Sequence, residues 1–105
     1  MLFRSFLFGG RLLRWVDEAS WIAASLDYPE CRFVTIAMDK VEFRHSVREG
    51  TILSIRSEQG DRGSSSVTYE VTVRRGRTGD GEPLFSTRVT FVNVDEAGDK
   101  VEISK

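Results

Sequence analysis

The chain has 105 residues, 40% hydrophobic and 30% charged, with 15 basic and 16 acidic side chains and a formal net charge of −1. That length makes one domain with a modest core, residues 1–105, and leaves room for an oligomer. The near-neutral balance disfavours a nucleic-acid module, which would be basic overall, and the single cysteine, Cys31, excludes an internal disulfide or a cysteine-based metal site.

Leu2, Arg4 and Phe6 alternate with Phe3, Ser5 and Leu7, compatible with a short strand over Met1 to Phe8. Arg4 interrupts this apolar run and no small-residue cleavage site follows it, unlike a signal peptide. No run is long enough to span a bilayer, and a reducing, cytoplasmic setting is expected. Gly9 and Gly10 predict a tight turn. From Arg11 the residues favour a helix, ending near Ser25 to Asp27, where Pro29 stops it. At 100° per residue, Leu12, Trp15, Val16, Ala19, Ile22 and Ala23 share a stripe expected to face the core. Asp17 lies nearly opposite, with Leu13, Trp21 and Ala24 around it and Ser20 nearby. A carboxylate on a second, largely apolar face reads as a contact surface with an acid in it.

Everything after Cys31 reads as strands. Arg32 to Phe43 is one long strand, in which Val34, Ile36 and Met38 point one way and Val41 and Phe43 the other; that phase switch predicts a bulge around Asp39 and Lys40. A polar connection, Arg44 to Gly50, leads to a strand from Thr51 to Glu58. A Gly/Ser-rich turn covers Gln59 to Ser66. Val67, Tyr69, Val71 and Val73 then alternate with Thr68, Glu70 and Thr72 as the cleanest strand. Gly76 to Pro83 is a loop, Leu84 to Val94 the last strand, and Asp95 to Gly98 a turn before a tail of a few extended residues. The last three strands form an antiparallel meander, and the whole reads as α+β, one helix on four or five strands.

On residue chemistry alone, Asp17 suits a general base or nucleophile, or else a surface acid held by Arg14 three residues before it. Glu18 points a quarter turn away, toward Arg11 and Arg14, and reads as a structural ion-pair partner. An N–H of Gly10 at a helix N-terminus would be a free donor for developing negative charge. His45, the only histidine, stands in a loop with no G-x-S-x-G elbow to make a triad. Cys31 reads as a buried or half-buried thiol.

The Gly-Gly–x6–Asp segment from Phe8 to Ala24 resembles the hotdog-fold acyl-CoA thioesterases, in the branch of bacterial acyl-CoA hydrolases and brain acyl-CoA hydrolase. The likeness continues through Val34 to Phe43, Gly50, Gly63 to Val73 and Thr87 to Gly98. It implies a single hotdog domain in which Asp17 is the catalytic carboxylate and Gly10 supplies the oxyanion donor. It further implies that Gly9, Gly63, Ser64 and Ser65 contact the substrate. Arg62, Arg74, Arg75 and Arg77 are candidates for its phosphates. The implied reaction is acyl-CoA hydrolysis to fatty acid and coenzyme A, with no metal or other cofactor. The alternative is a non-catalytic hotdog module that binds acyl-CoA or only dimerises. Members of the family carry a further strand and a polar Asn or Asp upstream of the Gly-Gly pair. Here eight residues precede it, and Phe8 stands where many relatives have His, so a truncated or shortened start is expected. Gly10 and Asp17 are about 10 Å apart along a helix axis. Two helices packed antiparallel through Leu13, Asp17, Trp21 and Ala24 would bring Gly10 of one chain to Asp17 of another. The expected unit is therefore a homodimer, or a larger assembly, with shared sites.

Overall fold

The computed structural model describes residues 2–45 and 50–103, with side chains from Arg11 onward. Much of the connection expected from Arg44 to Gly50 lies outside the described residues. One helix, α1 (Leu2–Asp27), lies on a sheet of four antiparallel strands, β1 (Phe33–Phe43), β2 (Leu53–Arg62), β3 (Ser66–Arg75) and β4 (Pro83–Asn93). The sheet order is β1-β4-β3-β2, so the last three strands form the expected meander and β1 adds to its outer side, on β4.

The helix departs from expectation at its start. It runs unbroken through Gly9 and Gly10 from Leu2, in place of a strand and a turn. Leu, Phe and Arg are adequate helix formers, and two glycines cost only about 1 kcal/mol each inside a helix, which weakens it locally without breaking it. The helix stops where expected. Tyr28 N–H still bonds to Ala24 O at 2.9 Å, and Cys31 N–H closes a turn around Pro29 onto Tyr28 O at 3.1 Å.

The face it buries is also different. Leu12, Val16, Ser20 and Ala24 are fully buried and Tyr28 nearly so, a straight i, i+4 row. Trp15 and Ile22, expected inside, are exposed, and the helix is rolled roughly a quarter turn from the stripe read by polarity. Ser20 explains the error. Its hydroxyl donates to Val16 O at 2.8 Å and reaches Asp17 O at 3.1 Å, so burying it orphans no polar group. The row packs on Val67, Tyr69, Val71 and Val73 of β3, Phe85, Val89 and Phe91 of β4, and Phe33 of β1. The middle of the opposite face is polar, with Arg88 paired to Glu70 at 3.2 Å and Thr68 beside Thr90 at 3.3 Å, the one-sided pattern of an antiparallel sheet.

β1 carries two extra residues against β4. The register slips between Asp39 and Glu42, and Lys40 sits at φ 51°, so the bulge read from the phase switch is present; Thr87 Oγ1 holds Asp39 O there at 2.8 Å. A second slip at Ile36 was not anticipated. β2 also outruns its expected end: it pairs to Arg62, slipping once after Gln59, and only residues 63–66 remain as the turn. These bulges add twist and curl the sheet around the helix.

Candidate active site

Asp17 is half-buried on the flank of α1 that faces β1. The roll of the helix brings it there. Thr35 Oγ1 donates to Asp17 Oδ1 at 2.7 Å, and one turn further along Trp21 Nε1 donates to Phe33 O at 3.2 Å. Phe33 and Thr35 lie on one face of β1, separated by the two-residue period of a strand. The carboxylate is therefore held by a strand and not by Arg14. Among the described residues Oδ2 has no hydrogen-bond partner, so one oxygen is fixed and the other is available to a water or a carbonyl carbon. Thr35 escaped the sequence reading because a threonine in a β-rich stretch looks like ordinary strand material. Only the helix–strand packing gives it a role.

Around the carboxylate, β1 is a sheet edge. Among the described residues it pairs with β4 alone, and Val34, Ile36, Val41 and Phe43 are exposed, as is Trp21 on the neighbouring helix flank. The seam expected from Leu13, Asp17, Trp21 and Ala24 is corrected accordingly. Ala24 is fully buried against the sheet and Leu13 packs on the core. Asp17, Trp21 and the β1 edge form the surface that is left.

Gly10 does not stand at a helix N-terminus. Inside a continuous helix its N–H belongs to the i→i−4 ladder, not to the free donors of the first turn. Of the substrate-binding candidates, Gly9 lies within α1 beside Gly10, and the others fall into two groups. Arg62, Gly63, Ser64 and Ser65 form the hairpin tip between β2 and β3, closed by Gly63 N–H on Ser66 O at 2.9 Å. They share an end of the sheet with Asp17, because Thr35 pairs with Phe91, Phe91 with Val67 and Val67 with Arg62. Arg74 and Arg75 lie at the other end of β3, about 30 Å away at 3.3 Å per residue. There Arg74 Nη1 bonds to Gly81 O at 3.2 Å and Arg75 pairs with Glu82 at 3.5 Å. Within one chain the two groups are not brought together.

The thioesterase superfamily profile matches residues 5–82. The chain belongs to the thioesterase superfamily. A hexameric hotdog-fold thioesterase of Campylobacter jejuni is 40% identical, with a TM-score of 0.77 over 91% of this chain and 75% of that one. A hexameric thioesterase from Yersinia pestis is 25% identical, with a TM-score of 0.80 over 92% and 80%. An acyl-CoA hydrolase from Staphylococcus aureus, in complex with butyryl coenzyme A, coenzyme A and coenzyme A disulfide, is 26% identical. Its TM-score is 0.79 over 90% of this chain and 58% of that one. No curated protein matches the chain. One helix on a four-stranded antiparallel sheet is thus the hotdog fold.

Of the other titratable candidates in this superfamily member, Glu18 is the next residue along the helix from Asp17, and the rest lie elsewhere. His45 is exposed beside Glu82, at 3.6 Å, at the Arg74 end of the sheet. Arg77 and Glu18 are exposed. Cys31 is a half-buried free thiol whose pKa is raised by burial, against an opposing pull from Arg62. No three His, Cys, Asp or Glu side chains among the described residues group as a metal site, and no helix there is long and apolar enough to cross a membrane.

Proposed function

We propose that this chain hydrolyses acyl-CoA thioesters to a free carboxylic acid and coenzyme A, with Asp17 as the base or nucleophile. The observation that carries the reading is the Asp17 carboxylate, half-buried on the helix of a thioesterase-superfamily fold and oriented by Thr35. As base, it removes a proton from the water that attacks the thioester carbonyl. As nucleophile, it forms a mixed anhydride that water then cleaves. In both cases the thiolate of coenzyme A leaves. Support for the substrate class comes from the butyryl coenzyme A bound to the Staphylococcus aureus hydrolase. The hexameric assembly of the Campylobacter jejuni and Yersinia pestis proteins supports an oligomer.

The site is completed by a second chain across the Asp17, Trp21 and β1 surface, in a homodimer or a larger assembly of homodimers. Gly10 of that chain supplies the oxyanion donor. This requires the helix to begin at Gly10, and the two adjacent glycines are where it opens at least cost. A second reading, a module that binds acyl-CoA without turning it over, starts from the continuous helix, which keeps the Gly10 N–H in the helical ladder. Thiol release from acyl-CoAs decides between them. The unaltered chain should release thiol, and Asp17→Asn should lower kcat by about 100-fold or more; binding without thiol release would establish the module. Gly10→Ala should raise thermal stability by filling a helical glycine yet lower kcat. An Asp17→Asn chain refolded with a Gly10→Pro chain should regain activity in the mixed oligomer. A mixed oligomer as inactive as its parents would rule out the shared site.

A further inference from the structure

The segment beyond β4 has no part in the mechanism above, yet it is built onto the 63–66 turn. It reverses direction through Asp95, whose N–H bonds to Asp99 O at 2.9 Å and whose Oδ1 accepts the N–H groups of Ala97 and Asp99. The chain then returns antiparallel to β4, with Val94 bridged to Lys100 and Val101 N–H on Asn93 O at 2.9 Å. The return carries Ile103, which is 3% exposed and part of the hydrophobic core.

Both main-chain groups of Ile103 engage the turn. Its N–H donates to Ser64 O at 2.8 Å, and its C=O accepts Arg62 Nη2 at 2.7 Å. Asn93 N–H donates to Ser65 O at 2.8 Å, while Asn93 Oδ1 accepts from Arg32 N–H at 2.8 Å and Nδ2 donates to Glu102 O at 3.4 Å. The Arg62 guanidinium also lies over the Tyr28 ring, 5.3 Å from its centroid. A hairpin tip of Gly and Ser would otherwise be among the least stable parts of the fold. Here Arg62, Ser64 and Ser65 are held in place before any ligand arrives, although Arg62 and Ser64 remain exposed. Pre-organised donors bind an anion without the cost of ordering a loop.

We infer that Ile103 is a positioning residue, whose main chain holds the Arg62–Ser65 turn in the geometry that takes the nucleotide end of acyl-CoA. The inference rests on the acyl-CoA reading above and concerns affinity, not chemistry. The full chain carrying Ile103→Pro, which lacks the N–H, should show KM for butyryl-CoA raised about tenfold, the effect of one lost ordering hydrogen bond, with kcat within about twofold. Hydrolysis of butyryl-N-acetylcysteamine, which has no nucleotide, should be unchanged, and the conservative Ile103→Val should restore KM. A folded Ile103→Pro chain with unaltered KM, or with equal losses on both substrates, overturns the inference. Amide hydrogen exchange on the unaltered chain tests it even if Ile103→Pro does not fold. Saturating coenzyme A should slow exchange at Ile103, and unchanged exchange with coenzyme A bound overturns it. An unaltered chain that neither binds coenzyme A nor releases thiol refutes the acyl-CoA reading itself, and does so before any variant is made.

Discussion

At the end of the sheet where Phe33, Asn93 and the 63–66 turn meet, contacts run from side chain or tail to main chain: Trp21 to Phe33 O, Asn93 to Arg32 N–H, Arg62 to Ile103 O. At the other end, where β3 passes into the 76–82 loop, Arg74 also reaches Gly81 O, but the remaining side-chain contacts are direct pairs between exposed charged groups. Glu82 faces both His45 and Arg75 there, each about half exposed. Exposed pairs of this kind contribute 0 to about 1 kcal/mol, whereas a hydrogen bond to an otherwise buried main-chain group is costly to lose. The first end is therefore fixed well enough to hold the 63–66 turn and the strand beside Asp17 in set positions. The second is held by backbone shape more than by charge.

The sharpest way to break that contrast is Gly81→Ala. A Cβ there would collide with Arg75 O, a backbone atom that no rotamer change can move. The loop must shift, and with it the Arg75 N–H to Glu82 O bond of 3.2 Å. We expect a loss of about 2–4 kcal/mol in urea unfolding, far more than removal of the Glu82 charge would cost. A loss below 1 kcal/mol would mean that this end yields freely and that its backbone shape is not what holds it.

A smaller effect tests the helix packing. Ala24 is fully buried, so Ala24→Leu should overpack its contact with the sheet and cost about 1–3 kcal/mol. Ala19, which lies on the flank, should tolerate the same change with much less loss. The reverse order would restore the helix face that polarity alone suggests. That comparison also shows what the sequence makes legible. The strands, the meander, the bulge at Asp39 and Lys40 and the helix stop at Pro29 all follow from short-range rules of alternation and turn chemistry. The buried row Leu12, Val16, Ser20, Ala24 does not, because Ser20 satisfies itself within its own turn and therefore mimics a surface residue. At the site, Asp17 is legible as a helical acid in an apolar setting. Its partner Thr35 and the Ile103 clamp depend on contacts 18 and 41 residues apart along the chain, which no local pattern encodes. The helix through Gly9 and Gly10 is the remaining miss, since a glycine pair fits a turn and a weakened helix equally well.

The smallest expected effect concerns the join between the well-tied end and the core. Tyr69 is almost fully buried and its hydroxyl donates to Asp27 Oδ2 at 2.6 Å, tying the last turn of the helix to β3. Burial pushes the phenol pKa above its ordinary value of 10.0, and the hydrogen bond to Asp27 adds to the rise. A group whose folded pKa is raised holds more protons folded than unfolded as pH climbs past the unfolded value. Its contribution is therefore complete below about pH 10 and is lost as pH rises toward the folded value. Tyr69→Phe keeps the ring and removes the hydroxyl. At neutral pH it should cost about 1 kcal/mol for the missing bond. Above about pH 10 the gap between the two chains should narrow, because only the tyrosine chain loses stability through this group. Denaturant midpoints measured from pH 7 to 11 read this directly. Parallel midpoints for the two chains across that range would mean that Tyr69 ionises as easily folded as unfolded, and that the tie to Asp27 does not hold the helix end.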